Sequence, residues 1–399
     1  MDTSEMIRRS SQNRKTLLGD DLRRSRSGKP HGIALMMTLV VVMLMTIFIS
    51  EFFFSSGLEV RALQTYKEVG QARDLARLAF QAFRISLLQD EITVMQGYRE
   101  LETALQTVAI PWEDGLLTGF TLIPLDSLYN LNELSGIRLG SDREKVRWSL
   151  FLNTMSEITK PSDIPDQEPV PIDEQQIGVM FASLYDWIDT DEVDYVGLVG
   201  VPGGESAAYL SKEPERVVKN GKLDQLREIR AITAVSESEI PWSDLEKRLA
   251  VLPRSEQSEL YPEKLNVNVA TQEEIVEFLE RRKLEAGMLT AANNQQLQNG
   301  INAFADQAEE VAALLAPAEE GRKRFSSDRD IQSALSGLQT IEPKYAKELF
   351  SISNTYYFVR IATMVNDIEV SVEGVVRAKR DPKLQGKASS VEVLQFIME

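Results

Sequence analysis

From Ile33 to Ile49 the chain is apolar at every position but Thr38 and Thr46, and residues 30–50 carry no Lys, Arg, Asp or Glu. About 20 helical residues at about 1.5 Å each match a bilayer core of about 30 Å, so the run predicts a membrane span. Beyond it, Glu51 to Asp90 contains no Pro, and Val69, Ala72, Ala76, Ala79, Phe83 and Leu87 step by three or four residues. That spacing is one apolar stripe on a helix. Arg73, Arg77 and Arg84 lie off the stripe. The pattern predicts a single helix from Ile33 to about Asp90, roughly 85 Å long, bare in its first half and docked in its second.

Further along, Pro111 to Gly115 is a turn cluster and Phe120 to Pro124 a short strand. Pro161 to Glu174 reads as a loop, Ile177 to Ile188 as a helix running into acids, and Gly197 to Gly204 as a second loop. Helical patterns fill Leu223 to Leu349, broken at Pro241, Pro253, Pro262, Pro317 and Pro343; residues 292–322 read as a helix or an insertion. The last fifty residues alternate as strands: Tyr356 to Ala362, Ile368 to Val376 and Ser390 to Ile397, with turns at Asn366-Asp367 and Asp381-Pro382. This is an α+β chain: a long N-terminal helix packed on a small antiparallel sheet, with a large inserted helical domain. No internal repeat stands out.

Charge divides the chain. Residues 1–30 hold eight Lys/Arg against four Asp/Glu, a net +4, while the other 369 residues hold 36 against 57, a net −21. By the positive-inside rule the basic head stays cytoplasmic and the acidic body is exported. An acidic body lacks the basic face that phosphate binding needs, so no nucleic acid is expected as a partner. There is no Cys and one His, His31, which excludes thiolate nucleophiles, zinc fingers and Ser-His-Asp triads from the body. No G-x-S-x-G or phosphate loop is found. No catalytic residue is assigned, and the chain reads as a non-enzyme.

The apolar run fits three leaders: a secretory signal peptide, a plain signal anchor, or one cut before the run. It is long for the first, and no A-x-A site follows. Gly32 stands directly before the run, after Lys29-Pro30-His31. This junction resembles the class III leader of type IV pilins and pseudopilins, cut by a prepilin peptidase between Gly32 and Ile33. Most of that superfamily has Glu at the fifth mature position. Here it is Met37, the habit of the K-type minor pseudopilins of type II secretion.

The body carries further resemblance to that K-type family (general secretion pathway protein K). Asn130-Leu131-Asn132 resembles its NLN segment, Asp186-Trp187-Ile188-Asp189-Thr190-Asp191 its DWxDxD segment, and Gly203-Gly204-Glu205 to Tyr209 its GxExxY loop. Asn220 with Leu226 to Ile229, and Leu265 to Thr271, resemble two more. The resemblance implies five segments: a leader at 1–32, a transmembrane half-helix at 33–52, a pilin-like part at 53–135, an inserted helical domain at 136–350, and closing strands at 351–399. It implies a single-pass inner-membrane protein with its C-terminal body in the periplasm. Such a protein caps the pseudopilus tip with I- and J-type minor pseudopilins and aids export of folded proteins. The major pseudopilin, the secretin and secreted substrates are further implied partners. A minor pilin priming type IV pilus assembly is the alternative.

Asp186, Asp189, Asp191, Glu192 and Asp194 fall within nine residues. Hard carboxylate oxygens suit Ca²⁺. The spacing is not an EF-hand, since the sixth position from Asp189 is Asp194 rather than Gly, and by spacing alone a solvated acidic loop is the favoured reading. The resemblance implies a calcium site held by Asp189, Asp191 and Glu205, with Asp186. Asn266 and Asn268 could open a helix-hairpin-helix, but no Gly-x-Gly hairpin follows and Glu273, Glu274, Glu277 and Glu280 repel phosphate. They are read instead as turn formers, with Thr271 capping the next helix. Trp187 is read as a core anchor.

Overall fold

The structure is a computed structural model that describes residues 31–89, 91–160, 170–198, 200, 203–204, 217–253, 263–286, 295–316, 325–380 and 388–398. The basic leader, Glu205 to Tyr209 and the Asp381-Pro382 turn lie outside the described residues. Two compact units divide the chain, Met1–Glu68 and Val69–Glu399.

The described part of the first unit is helix only, the start of α1 (His31–Ser86). Its large apolar side chains from Ile33 to Ile49 are 50% to 73% exposed. An 18-residue window there has mean hydropathy 2.6 with nothing buried, so the helix is long and apolar enough to cross a membrane.

In the second unit the rest of α1 buries Ala72, Ala76, Ala79 and Phe83 of the expected stripe, with Val69 half-buried and Leu87 buried just past the helix end. The helix ends at Ser86, short of Asp90, and a turn leads to α2 (Glu91–Leu105), which the sequence reading did not separate. The next residues form β1 (Ile110–Trp112) and β2 (Gly115–Pro124), so the Pro111–Gly115 cluster is a hairpin rather than a bare turn. The three closing strands appear as expected: β3 (Tyr356–Val365), β4 (Ile368–Arg380) and β5 (Ala388–Met398). Asn366 turns β3 into β4 with φ +53°, a conformation Asn tolerates. All five strands form one antiparallel sheet in the order β1-β2-β3-β4-β5. The three alanines let α1 lie close on it, and Thr363 donates its hydroxyl to the Ala72 carbonyl at 3.0 Å. Phe80 fills the space where Gly374 has no side chain; a Cβ there would stand 2.7 Å from its ring.

β2 and β3 are neighbours, Phe120 opposite Ile361, although residues 125–355 separate them in sequence. The amide of Leu125 bonds the Tyr356 carbonyl at 2.9 Å, so the inserted chain leaves and returns at one point. It holds two cores. The first gathers α3 (Asp142–Ser156) and α4 (Glu174–Ile188) around Phe151, Phe181 and Trp187. The second gathers α5 (Gln272–Ala286), α6 (Gln295–Asp306), α7 (Ala308–Leu315) and α8 (Asp328–Leu335) around Phe278 and Phe304.

The two cores share a closing device, a structural repeat that the sequence reading did not find. In the first, Asn130 Oδ1 accepts the Asn132 amide at 3.2 Å, and the Asn132 side chain bonds both backbone groups of Leu223 and the Leu252 carbonyl, at 2.8 to 3.1 Å. In the second, Asn266 Oδ1 accepts the Asn268 amide at 3.0 Å. The Asn268 side chain bonds both backbone groups of Phe325 and the Ile352 carbonyl, at 2.8 to 2.9 Å. A two-residue parallel ladder precedes each clamp, Tyr129-Asn130 on Leu249-Ala250 and Leu265-Asn266 on Phe350-Ser351. Glu228 and Asp330 then cap equivalent turns, each accepting two successive amides. Thr271 caps α5 as expected, and Glu274 bonds back to its amide to complete a capping box.

Candidate functional site: anchor junction and acidic turn

A helix apolar enough to cross a membrane must satisfy its polar side chains internally. Its two threonines do so within the helix: Thr38 Oγ1 donates to the Leu35 carbonyl at 2.9 Å and Thr46 Oγ1 to the Val42 carbonyl at 2.8 Å. Gly32 and Ile33 lie in the first turn of α1. Ile33 is 69% and Met37 68% exposed, so the fifth position after the junction presents a thioether where a carboxylate would be charged.

The acids sit at the other candidate site. Helix α4 begins at an Asp173 cap, buries Ile177, Phe181, Leu184 and Ile188, and ends at Asp189 with no basic residue in its last turn. The carbonyl end of a helix is its negative pole, and Asp189 and Asp191 add to it. Asp191 Oδ1 accepts the Val193 amide at 2.9 Å, closing an Asx turn. Asn220, at φ +46°, donates its side chain to the Asp191 carbonyl at 3.0 Å.

Asp186 lies beneath this turn, fully buried. Its carboxylate accepts the Tyr195 amide at 2.8 Å and lies against Gly203, where a Cβ would come within 1.8 Å of Oδ2. Only glycine fits there, which accounts for Gly203 in the loop. Burial, aided by the charges of Asp194 and Asp191, pushes Asp186 up to about 6, against the pull of two backbone amides. Burial and the nearby carboxylates likewise push Tyr185 up to about 12. The structure thus brings Asp186, Asp189 and Asp191 to one helix end, with Asp186 turned inward. Glu205 lies outside the described residues. Among the described residues no three His, Cys, Asp or Glu side chains gather closely enough to hold a metal ion.

Two supporting residues escaped the sequence reading. Glu144, buried near the start of α3, accepts the amides of Gly140 and Leu198 and the Tyr195 hydroxyl, the last at 2.6 Å. Burial and that bond hold the Tyr195 phenol well above its usual range. Ser141 three residues before Glu144 is a capping pattern and was the available signal.

A long helix bare of packing at its start, a helix-on-sheet body and a large insertion define an α+β class whose first helix is long and apolar enough to cross a membrane. No family model matches the chain, and no curated protein matches it. Among solved structures it is similar to a chain of the crystal structure of the GspK-GspI-GspJ complex from the type 2 secretion system of enterotoxigenic Escherichia coli. The identity is 16% and the TM-score 0.48, over 86% of this chain and 99% of that one.

Proposed function

We infer that the chain is a non-enzymatic minor pseudopilin of the K type. It is anchored in the inner membrane by α1 with its body in the periplasm, and it works with I- and J-type partners at the tip of a type II secretion pseudopilus. The observation that carries this reading is α1 itself, one helix whose first residues are bare, apolar and internally satisfied and whose last residues dock on an antiparallel sheet. The Gly32-Ile33 junction, Met37 and the Asn-x-Asn clamps add to it.

The acidic turn belongs to the same reading. Its donors are all hard oxygens at the negative end of a helix, and a divalent cation there would neutralise charges that repel. Asp189 and Asp191 would hold Ca²⁺ with Glu205. Asp186 supports them from beneath through Tyr195 and Gly203.

The test is the amino-terminal sequence of the chain recovered from membranes. Cleavage gives Ile33 first, N-methylated, and Gly32→Ala leaves uncut precursor and abolishes secretion. A mature chain that starts at Met1, or normal processing of the variant, refutes the assignment. Co-isolation with pilus subunits in place of secretion pseudopilins would favour a minor pilin.

A further inference from the structure

Helix α4 ends on a carbonyl pole with no basic residue in its last turn, and Asp189 and Asp191 follow it. The donors that meet this negative end come from a distant stretch, 29 residues on from Asp191. The Gly221 amide donates to the Trp187 carbonyl at 3.4 Å, and Asn220 Nδ2 to the Asp191 carbonyl at 3.0 Å. Both donors are neutral. Lys219, the cation beside them, is engaged elsewhere: its ammonium meets Asp224 and Glu228 at 2.7 Å each. The stretch ties down the end of α4 without neutralising its acids.

Position 220 has two requirements. Its φ of +46° is left-handed, a conformation that Gly and Asn adopt at least cost. Its side chain must also donate, which glycine cannot do. Asn220 meets both, and its buried Oδ1 then accepts no hydrogen bond among the described residues. A side chain that gives up half of its hydrogen bonding to make one contact is the kind of local concession that marks a functional site.

That contact holds Asp191. Asp191 Oδ1 accepts the Val193 amide at 2.9 Å, so this residue is fixed at its carboxylate by Val193 and at its carbonyl by Asn220. Asp191, Glu192 and Asp194 are exposed and of one sign, so their mutual repulsion opens the turn. A cation site on a turn that must first be ordered binds weakly, because the ordering opposes the binding. Groups that orient a metal ligand from outside the ligand set are accordingly worth about 10–100-fold in affinity.

We propose that Asn220 is a positioning residue of the acidic turn: its side-chain donor holds Asp191 in place for a divalent cation without itself being a ligand. The proposal rests on the calcium reading of this turn.

The test uses the full chain in detergent micelles at pH 7, in calcium chloride or in chelator, with Asn220→Gly and Asn220→Asp. Glycine keeps the left-handed backbone and drops the donor. Aspartate keeps the side-chain shape and adds a carboxylate, but cannot donate. Calorimetric titration with calcium chloride should show affinity about tenfold lower or worse in Asn220→Gly. It should also be lower in Asn220→Asp, despite the added carboxylate. In chelator, residue-resolved hydrogen exchange at the Val193 amide should speed up about fivefold in both variants, the worth of one hydrogen bond. The Leu223 amide, which Asn132 holds, should exchange as in wild type. Tighter binding by Asn220→Asp would make position 220 a ligand and overturn the positioning role. So would wild-type affinity in Asn220→Gly, or wild-type exchange at Val193. Faster exchange at Leu223 as well as Val193 would make Asn220 a general strut of the inserted residues and overturn it too. A wild-type chain that takes up no Ca²⁺ overturns the calcium reading together with the role of Asn220 toward the ion, whereas failure of the Asn220 role alone leaves wild-type uptake intact.

Discussion

Arg147 is fully buried and meets Glu263 through both guanidinium nitrogens, while Arg282, also buried, donates to the Glu263 carbonyl at 2.6 Å. Burial opposes the charge on Glu263, but the two arginines outweigh it and hold the carboxyl below its ordinary 4.5. A value lowered by folding gives stability that is present above the unfolded value and lost as pH falls through the folded one. Glu263→Gln leaves two buried cations without their anion and is expected to cost about 3–5 kcal/mol. Denaturant melts from pH 3 to pH 7 check both parts: the variant is weaker at neutral pH and its stability falls less steeply on acidification. An unchanged slope would show that Glu263 is not the linked group. This triad was invisible in the sequence because its members stand 116 and 19 residues apart. Asn266 and Asn268 were legible as turn formers because their first bond is local, whereas Asn130 and Asn132, which make the same bond, were singled out by resemblance alone. Their far partners, Leu223 and Phe325, were not legible.

Elements with a strict period were read correctly, and those that begin without punctuation were not. The α1 stripe, α4 and the three closing strands follow 3.6- or 2-residue periods. The break after Ser86 has neither Pro nor Gly in Leu87-Leu88-Gln89, so α2 merged with its predecessor although Met95 and Tyr98 mark a packed face. The acidic end of α4 was legible as a cluster of charge, but the inward turn of Asp186 depended on Gly203, 17 residues on. The calcium reading makes its prediction on this element. Asp189→Ala should abolish the rise in melting temperature that millimolar Ca²⁺ gives the wild-type chain, and leave the melting temperature in chelator unchanged or raised, since one repelling charge is gone. Differential scanning fluorimetry in both conditions decides. An equal loss with and without chelator would make the turn a structural cap.

At the scale of the second unit, the question is what makes the inserted residues and the sheet one body, since each has a core of its own. The insertion was legible as a block of helical patterns, but its entry between adjacent strands was not, because only the pairing of Phe120 with Ile361 reveals it. An ionic chain crosses the seam. Arg227 of the insertion meets Glu373 of β4 at 2.6 Å, Glu373 meets Arg360 of β3 at 2.5 Å, and Arg360 reaches Glu246 of the insertion at 2.7 and 2.9 Å. Glu373 is 6% and Glu246 8% exposed, so this chain is screened little by salt. A small cavity of about 50 Å³ adjoins it, lined by Leu226, Trp242, Phe358 and Val375. Apolar contact also crosses the seam, Ala250 and Leu252 packing with Val375, and charge carries part of the coupling. Glu373→Gln keeps the side-chain shape but removes the charge that links Arg227 to Arg360, which keeps Glu246, at an expected cost of about 1–3 kcal/mol. Because the lost contacts lie between cores rather than within them, the variant should unfold in two calorimetric transitions where the wild-type second unit unfolds in one. Glu369→Gln, on the same strand but exposed, should keep the single transition. A single, merely shifted transition in Glu373→Gln would mean that backbone continuity and apolar packing alone hold the insertion on the sheet.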